Sequence, residues 1–307
     1  MYLSVVSTIY RSENSIGALA ESIVTACDKL NITYEIILVD DGSLDNSWYK
    51  IEELTESIPN LKGVKLSKNF GQHYAISCGI EQAKGEWIVV MDGDLQDNPK
   101  EIERFLEKTR EGFKIVTANR IGRKDTFLKR VYSVVFWKSL SYLTGKPLHH
   151  SISNFGIYHK NVIESVISMR DNIRFFPTMV NWVGFKKTSI DVEHNPRYEG
   201  KSTYTLDKMV KLAIDVILVN SEKPIMVVIK TGILISFISF LVGAIYLYKY
   251  LNHQISVPGY TSIIISIWFL GGLIIFILGV LGLYISKTFD AVKKRPYYII
   301  EKITSKI

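Results

Sequence analysis

Cysteine is scarce in this chain. Its 307 residues include two, Cys27 and Cys78, at no metal-type spacing. That fits a reducing compartment, with both thiols as small buried hydrophobes. No zinc-finger spacing and no RNP-type aromatic motif occurs, so nucleic acid is the weakest explanation of the formal net charge of +7. Anionic lipid and phosphorylated substrates remain as partners for a basic protein. The opening MYLSVVSTIY has no basic n-region and no long h-region, so it reads as a first strand and not as a signal peptide. There is no internal repeat and no low-complexity segment. Long apolar runs are missing from the first two thirds of the chain. The positive mean hydropathy therefore comes from the C-terminal part and points to membrane segments rather than a greasy globular core.

What is present begins as alternating strands and helices. Leu3 to Thr8, Tyr34 to Val39, Gly63 to Leu66 and Trp87 to Met91 are short apolar runs. Between them, Ser15 to Leu30, Asp45 to Ser57 and Tyr74 to Lys84 carry helical character. This alternation predicts an α/β domain with a mostly parallel sheet covered by helices on both faces. Ligands of such sheets bind at the carboxyl ends of the strands. Two acidic clusters stand at such ends, Asp40-Asp41-Gly42-Ser43 and Asp92-Gly93-Asp94-Leu95-Gln96-Asp97. They should face one cleft.

Further on, Arg120 to His150 reads as helical with basic residues at Arg120, Arg123, Lys124, Lys129 and Arg130. Ser153 to Tyr158 and Lys186 to Val192 read as strands, and Asn195 to Tyr204 as a polar loop. This places the α/β domain at 1–204 and an amphipathic membrane-interface helix at 205–223, with Lys208 and Lys211 opposite its apolar face. Two transmembrane helices then occupy 224–287, because Ile225 to Tyr248 and Ile263 to Ser286 are each long enough to cross roughly 30 Å of hydrocarbon. A basic tail, 288–307, ends the chain. Lys287, Lys293, Lys294 and Arg295 follow the second span, against Lys249 between the spans. The positive-inside rule then puts the large domain in the cytoplasm, on a multi-pass protein of the inner membrane. Gly271-Gly272 and Gly279 offer close helix approach, and with it a homo-oligomer.

Asp92 and Asp94 stand one residue apart at a strand end. Like charges so close repel unless a cation lies between them. Mg2+ or Mn2+ suits oxygen ligands and commonly binds one or two carboxylates plus substrate phosphates. A solvated turn capped by Asp97 or Asn98 is the plainer alternative. An EF-hand is excluded, because Asp97 stands where its loop requires glycine and a strand precedes the motif.

Together, Val39-Asp40-Asp41-Gly42-Ser43, Asn69-Phe70-Gly71 and the DxD at Asp92 closely resemble the inverting family 2 glycosyltransferases, over about Tyr2 to Tyr204. The resemblance implies a GT-A nucleotide-sugar fold. It implies that Asp40 and Asp41 contact the base and ribose of the donor. It also implies that Asp92 and Asp94, with Gln96 as a further ligand, hold the divalent cation on the diphosphate. Asp-Leu-Gln-Asp before Pro99, Lys129-Arg130-x-x-Ser133, Arg197-x-x-Gly-Lys-Ser202 and the two spans narrow the likeness to polyprenyl-phosphate glycosyltransferases. On that likeness Arg130 and Ser133 hold the acceptor phosphate. Arg197 and Lys201, beside Ser202, approach the diphosphate or that phosphate, and Arg120 is another basic residue of the site. Guanidinium groups suit phosphate through paired hydrogen bonds.

One position departs from the pattern. Many bactoprenol transferases have Gly-Asp-Phe-Arg where this chain has Ser153-Asn154-Phe155-Gly156. Asn154 cannot serve as a base. A phosphate monoester has a second pKa near ~6 and is already nucleophilic at cytoplasmic pH. Transfer to a lipid phosphate can then proceed by positioning and charge stabilisation. A sugar hydroxyl would want a base, for which Asp97 is the candidate. The alternatives to a polyprenyl-phosphate acceptor are a hydroxyl of a lipid-linked glycan and a non-catalytic membrane scaffold. A processive synthase would show Gln-x-x-Arg-Trp and more spans, and the chain has neither.

Overall fold

A computed structural model describes residues 2–121, 152–169, 174–193, 223–252, 259–293 and 295–306. The described residues divide into two units, one built from 2–121, 152–169, 174–193 and 295–306, the other from 223–252 and 259–293.

In the first unit the alternation expected from the sequence is present. The strands β1 (Leu3–Ile9), β2 (Tyr34–Asp40), β3 (Leu61–Leu66) and β4 (Trp87–Asp92) alternate with α1 (Ile16–Lys29), α2 (Ser47–Ser57) and α3 (Gln72–Gln82). After β4 come α4 (Glu101–Arg110), β5 (Ile115–Ile121), β6 (Ile152–His159), α5 (Lys160–Ser168), α6 (Phe176–Trp182) and β7 (Lys187–Glu193). One sheet takes them all, in the order β7-β5-β6-β4-β1-β2-β3-β8, where β8 is Ile300–Ser305. The central strands β4, β1, β2 and β3 are parallel, as is β5 with β7. Strands β6 and β8 run antiparallel to their neighbours. Because β2 and β4 are buried on both faces, their middles, IILV and WIVVM, read as continuous apolar runs rather than alternating ones. Val5, Ile36, Leu38, Val89 and Phe105 pack on one face, and Val6, Ile37, Val39, Ala75 and Val90 on the other.

Two expectations are corrected. Arg120 lies in strand β5 and not in a helix. The segment read as a basic tail contains β8, which closes the β3 edge of the sheet. Its charged residues hid a strand whose outward side chains are Lys and Glu, as edges of sheets commonly show. The segment is held along its length. Thr304 packs where a side chain on Gly63 would stand, its Oγ1 lies 3.1 Å from that of Thr55, and Tyr298 donates its hydroxyl to Glu81.

The second unit carries α7 (Lys223–Leu251) and α8 (Tyr260–Val292). They bracket the two apolar runs of the sequence. Their side chains, such as Phe237 and Ile245 on α7 and Ile267 and Phe276 on α8, face outward. Among the described residues, Phe269–Ser286 is the one stretch long and apolar enough to cross a membrane, with a mean hydropathy of 2.4. The expected amphipathic helix at 205–223 lies almost wholly outside the described residues.

Candidate active site

The carboxyl edge of the parallel strands gathers the acidic clusters. Thr8 on β1 is in register with Asp92 on β4, and Ile9 with Asp40 on β2. The two clusters therefore flank the end of β1, about 10 Å apart at two strand spacings. Gly93 lets the chain leave β4 here. A Cβ at this position would lie 2.5 Å from the Thr8 carbonyl oxygen, so only glycine allows the DxD to lie against β1.

Asp40 and Asp41 look alike in sequence and behave differently. Asp41 is buried, and its two oxygens accept the backbone N–H groups of Phe70 (2.8 Å) and Gly71 (2.9 Å). It thereby ties the Asn69-Phe70-Gly71 loop to the end of β2, at the N-terminus of α3. Burial pushes its carboxyl up to about 6, although these two donors favour the ionised form. Asp40 is fully buried. Its Oδ1 accepts from Ser43 N–H at 3.1 Å, while Oδ2 has no hydrogen-bond partner. Burial raises its pKa as well. Of the two aspartates, Asp40 keeps an unused acceptor.

Around the DxD a small network forms. Asp92 Oδ1 accepts from the Gln72 side-chain amide at 2.7 Å, and its Oδ2 from Arg120 Nη2 at 3.1 Å. The same Nη2 donates to Asp97 Oδ1 at 2.7 Å. Asp97 Oδ2 accepts the backbone N–H of Asp92 at 3.0 Å. Asp97 is 3% exposed. Burial, then repulsion from Asp92, pushes its carboxyl up to about 7 against the pull of Arg120. Burial alone would lower the pKa of Arg120, but Asp97 and Asp92 outweigh it and raise it. Asp94 Oδ1 accepts from Gln96 N–H at 3.2 Å, across Leu95 at a φ of +60°. Hence the motif turns back on itself with its carboxylates at the strand end.

Asp97, the base candidate of the sequence, is brought into this network. A buried carboxylate that holds Arg120 and the Asp92 amide is a clamp on the DxD. Gln72 and His73, at the start of α3, join the site without having been singled out from the sequence. His73 Nδ1 is buried without a partner, its ring meets Phe175 edge to face at 4.6 Å, and burial lowers its pKa to about 4. The signal for both was their place directly after Asn69-Phe70-Gly71.

Asn154 lies in β6, two residues before Gly156, which is in register with Val90 of β4. Arg130, Ser133, Arg197, Lys201 and Ser202 lie outside the described residues.

The residue types of the motif, Asp92, Asp94 and Gln96, offer oxygen, the donor that suits a hard cation. Among the described residues no group of three or more His, Cys, Asp or Glu side chains is placed to hold a metal ion by itself. Mg2+ or Mn2+ commonly takes one or two carboxylates and the rest of its shell from substrate phosphate and water, which is compatible with so few protein ligands.

The profile of the family described as Glycosyl transferase family 2 matches residues 4–167. Among relatives, a Bacillus subtilis protein named uncharacterized glycosyltransferase YkcC is 34% identical over 97% of this chain and 93% of its own. A Serratia proteamaculans protein named undecaprenyl-phosphate 4-deoxy-4-formamido-L-arabinose transferase is 31% identical over 98% of this chain and 93% of its own. Among solved structures, a mycobacterial protein superposes with a TM-score of 0.52 at 14% identity, over 71% of this chain and 73% of that one, a likeness of fold. Strand-end carboxylates on a sheet of this order, and a family profile over more than half of the length, place the chain in glycosyl transferase family 2.

Proposed function

We propose that this glycosyltransferase moves a sugar from a nucleotide-sugar donor, a UDP-sugar first, to polyprenyl phosphate at the cytoplasmic face of the inner membrane, with inversion at the anomeric carbon. The observation that carries the acceptor is the length of the likeness. A relative named as an undecaprenyl-phosphate sugar transferase aligns with 98% of this chain, C-terminal helices included.

Two crossings by α7 and α8 are supported by the course of the chain. Strand β8 pairs with β3 after both helices have passed. A single crossing would leave β8 across the bilayer from β3. At ~1.5 Å per residue, the 29 residues of α7 and 33 of α8 each exceed the hydrocarbon thickness.

In this reading Asp40 Oδ2 is the acceptor offered to the ribose or base of the donor. Asp41 holds the neighbouring loop in shape. Asp92 and Asp94, with Gln96, would hold Mg2+ or Mn2+, which offsets the charge on the departing nucleoside diphosphate. Arg130, Ser133, Arg197, Lys201 and Ser202 would take the phosphates. A phosphate acceptor needs no protein base, which agrees with Asn154 standing where the bactoprenol pattern has an aspartate.

The test is transfer by purified protein in detergent with Mn2+ or Mg2+. Radiolabelled UDP-glucose is offered with undecaprenyl phosphate, followed by other nucleotide sugars. Label that enters the lipid phase and leaves it in mild acid supports the reading. Nucleotide binding without labelled lipid phosphate for any donor would move the acceptor to a glycan hydroxyl. Asp94→Ala should abolish transfer and leave thermal unfolding unchanged; full activity in that variant would sink the metal role.

A further inference from the structure

Arg120 sits in an unusual position for a phosphate-binding residue. One nitrogen, Nη2, bridges the carboxylates of Asp92 and Asp97 at 3.1 and 2.7 Å. Its side chain is 13% exposed, and its Nε is buried with no partner. Asp92 is thus neutralised from within the protein, with Gln72 on its other oxygen. A divalent cation held by Asp92 would draw on the same carboxylate that Arg120 now compensates. Two cations on one carboxylate repel each other.

We propose that Arg120 is a built-in stand-in for the divalent cation: it neutralises Asp92 of the DxD from within the protein and must give up that carboxylate when the cation binds. Asp97 keeps hold of Arg120 through the exchange, since it is the shorter of the two contacts and the more deeply buried carboxylate. Of the two hydrogens on Nη2, the one that Asp92 gives up becomes available for a phosphate oxygen, while the other stays on Asp97. Arg120 is therefore a positioning residue that couples occupancy of the DxD to readiness for phosphate. This rests on the metal role of Asp92 and Asp94 proposed above.

The coupling is read without turnover, by titrating the full-length protein in detergent with Mn2+ alone and following free Mn2+ by electron paramagnetic resonance. Removing the competitor should tighten uptake. Arg120→Gln should lower the apparent Mn2+ Kd by about tenfold, as expected for losing one charge-assisted hydrogen bond at the shared carboxylate. Arg120→Gln leaves Asp97 buried without its cation and can fail to fold. The double variant Arg120→Met with Asp97→Asn removes both charges of the buried pair together and should show the same tightening. An unchanged or weaker Mn2+ affinity in whichever of these variants folds overturns the stand-in role, provided the wild type binds Mn2+. Failure of wild type and variants alike to take up Mn2+, with or without UDP, would overturn the metal reading itself and the stand-in role with it.

Discussion

Asp97 accepts the backbone N–H of Asp92 at 3.0 Å, so the last carboxylate of the acidic motif fixes the main chain of the first. The same side chain holds Arg120. Asp97→Ala breaks both contacts and leaves a buried guanidinium with half its partners. The expected loss is about 3 kcal/mol or more of stability, in the range for breaking a buried ion pair from one side. Asp97→Asn, which keeps an acceptor, should lose less. Thermal unfolding in detergent checks both, and a change within ~0.5 kcal/mol for the alanine variant would show that the clamp is not needed.

Asp41 and His73 should pull the pH dependence of stability in opposite directions. Folding raises the Asp41 pKa from 3.8 to about 6, so its contribution is full below pH 3.8 and is lost as pH rises through about 6. Folding lowers the His73 pKa from 6.5 to about 4, so its contribution is present above pH 6.5 and is lost as pH falls through about 4. Each is worth on the order of 3 kcal/mol across the same window. Relative to wild type, His73→Phe should gain stability as pH falls from 6.5 to 4, and Asp41→Asn should lose it. Parallel pH profiles for the three proteins would contradict the assignment.

Gly42 has a φ of +62°, and a Cβ there would stand 2.3 Å from the carbonyl carbon of Lys68. Neither the left-handed backbone nor the contact yields to a rotamer change. Gly42→Ala should cost at least about 2 kcal/mol and disturb the loop that Asp41 holds, seen as weaker UDP binding. Wild-type melting and UDP affinity in this variant would show that the loop can move aside.

A chain ending at Lys294 should be strongly destabilised, because it removes β8 and exposes the β3 edge. It also takes away Tyr297, whose ring stacks 4.9 Å from the buried Arg174 guanidinium, and Tyr298 on Glu81. The milder Tyr298→Phe should cost about 1 kcal/mol, as for a single hydrogen bond. A truncated protein that melts like the full chain would make β8 an ornament of the fold.

Much of this was legible in the sequence. Runs such as IILV in β2 and WIVVM in β4 are apolar throughout because their strands are covered on both faces, and that pattern is local. The abrupt change to Asp at their ends marked the carboxyl edge, where a parallel sheet leaves room for a ligand. Strand β8 was not legible. As an edge strand it carries Lys and Glu outward, and without β3 beside it the segment is only a charged tail.

The sequence by itself determined the strand-and-helix order as far as β4, the two apolar C-terminal runs and which carboxylates lie at strand ends, since each follows from the residues next to one another. Only the tertiary structure decided what those carboxylates do. Asp40 and Asp41 are neighbours, yet one keeps a free oxygen and the other is spent on the amides of Phe70 and Gly71, 29 and 30 residues away. Arg120 reaches Asp92 and Asp97 because β5 runs to the same edge of the sheet as β4. Partners so distant along the chain are set by the packing of strands, which no short stretch of sequence contains.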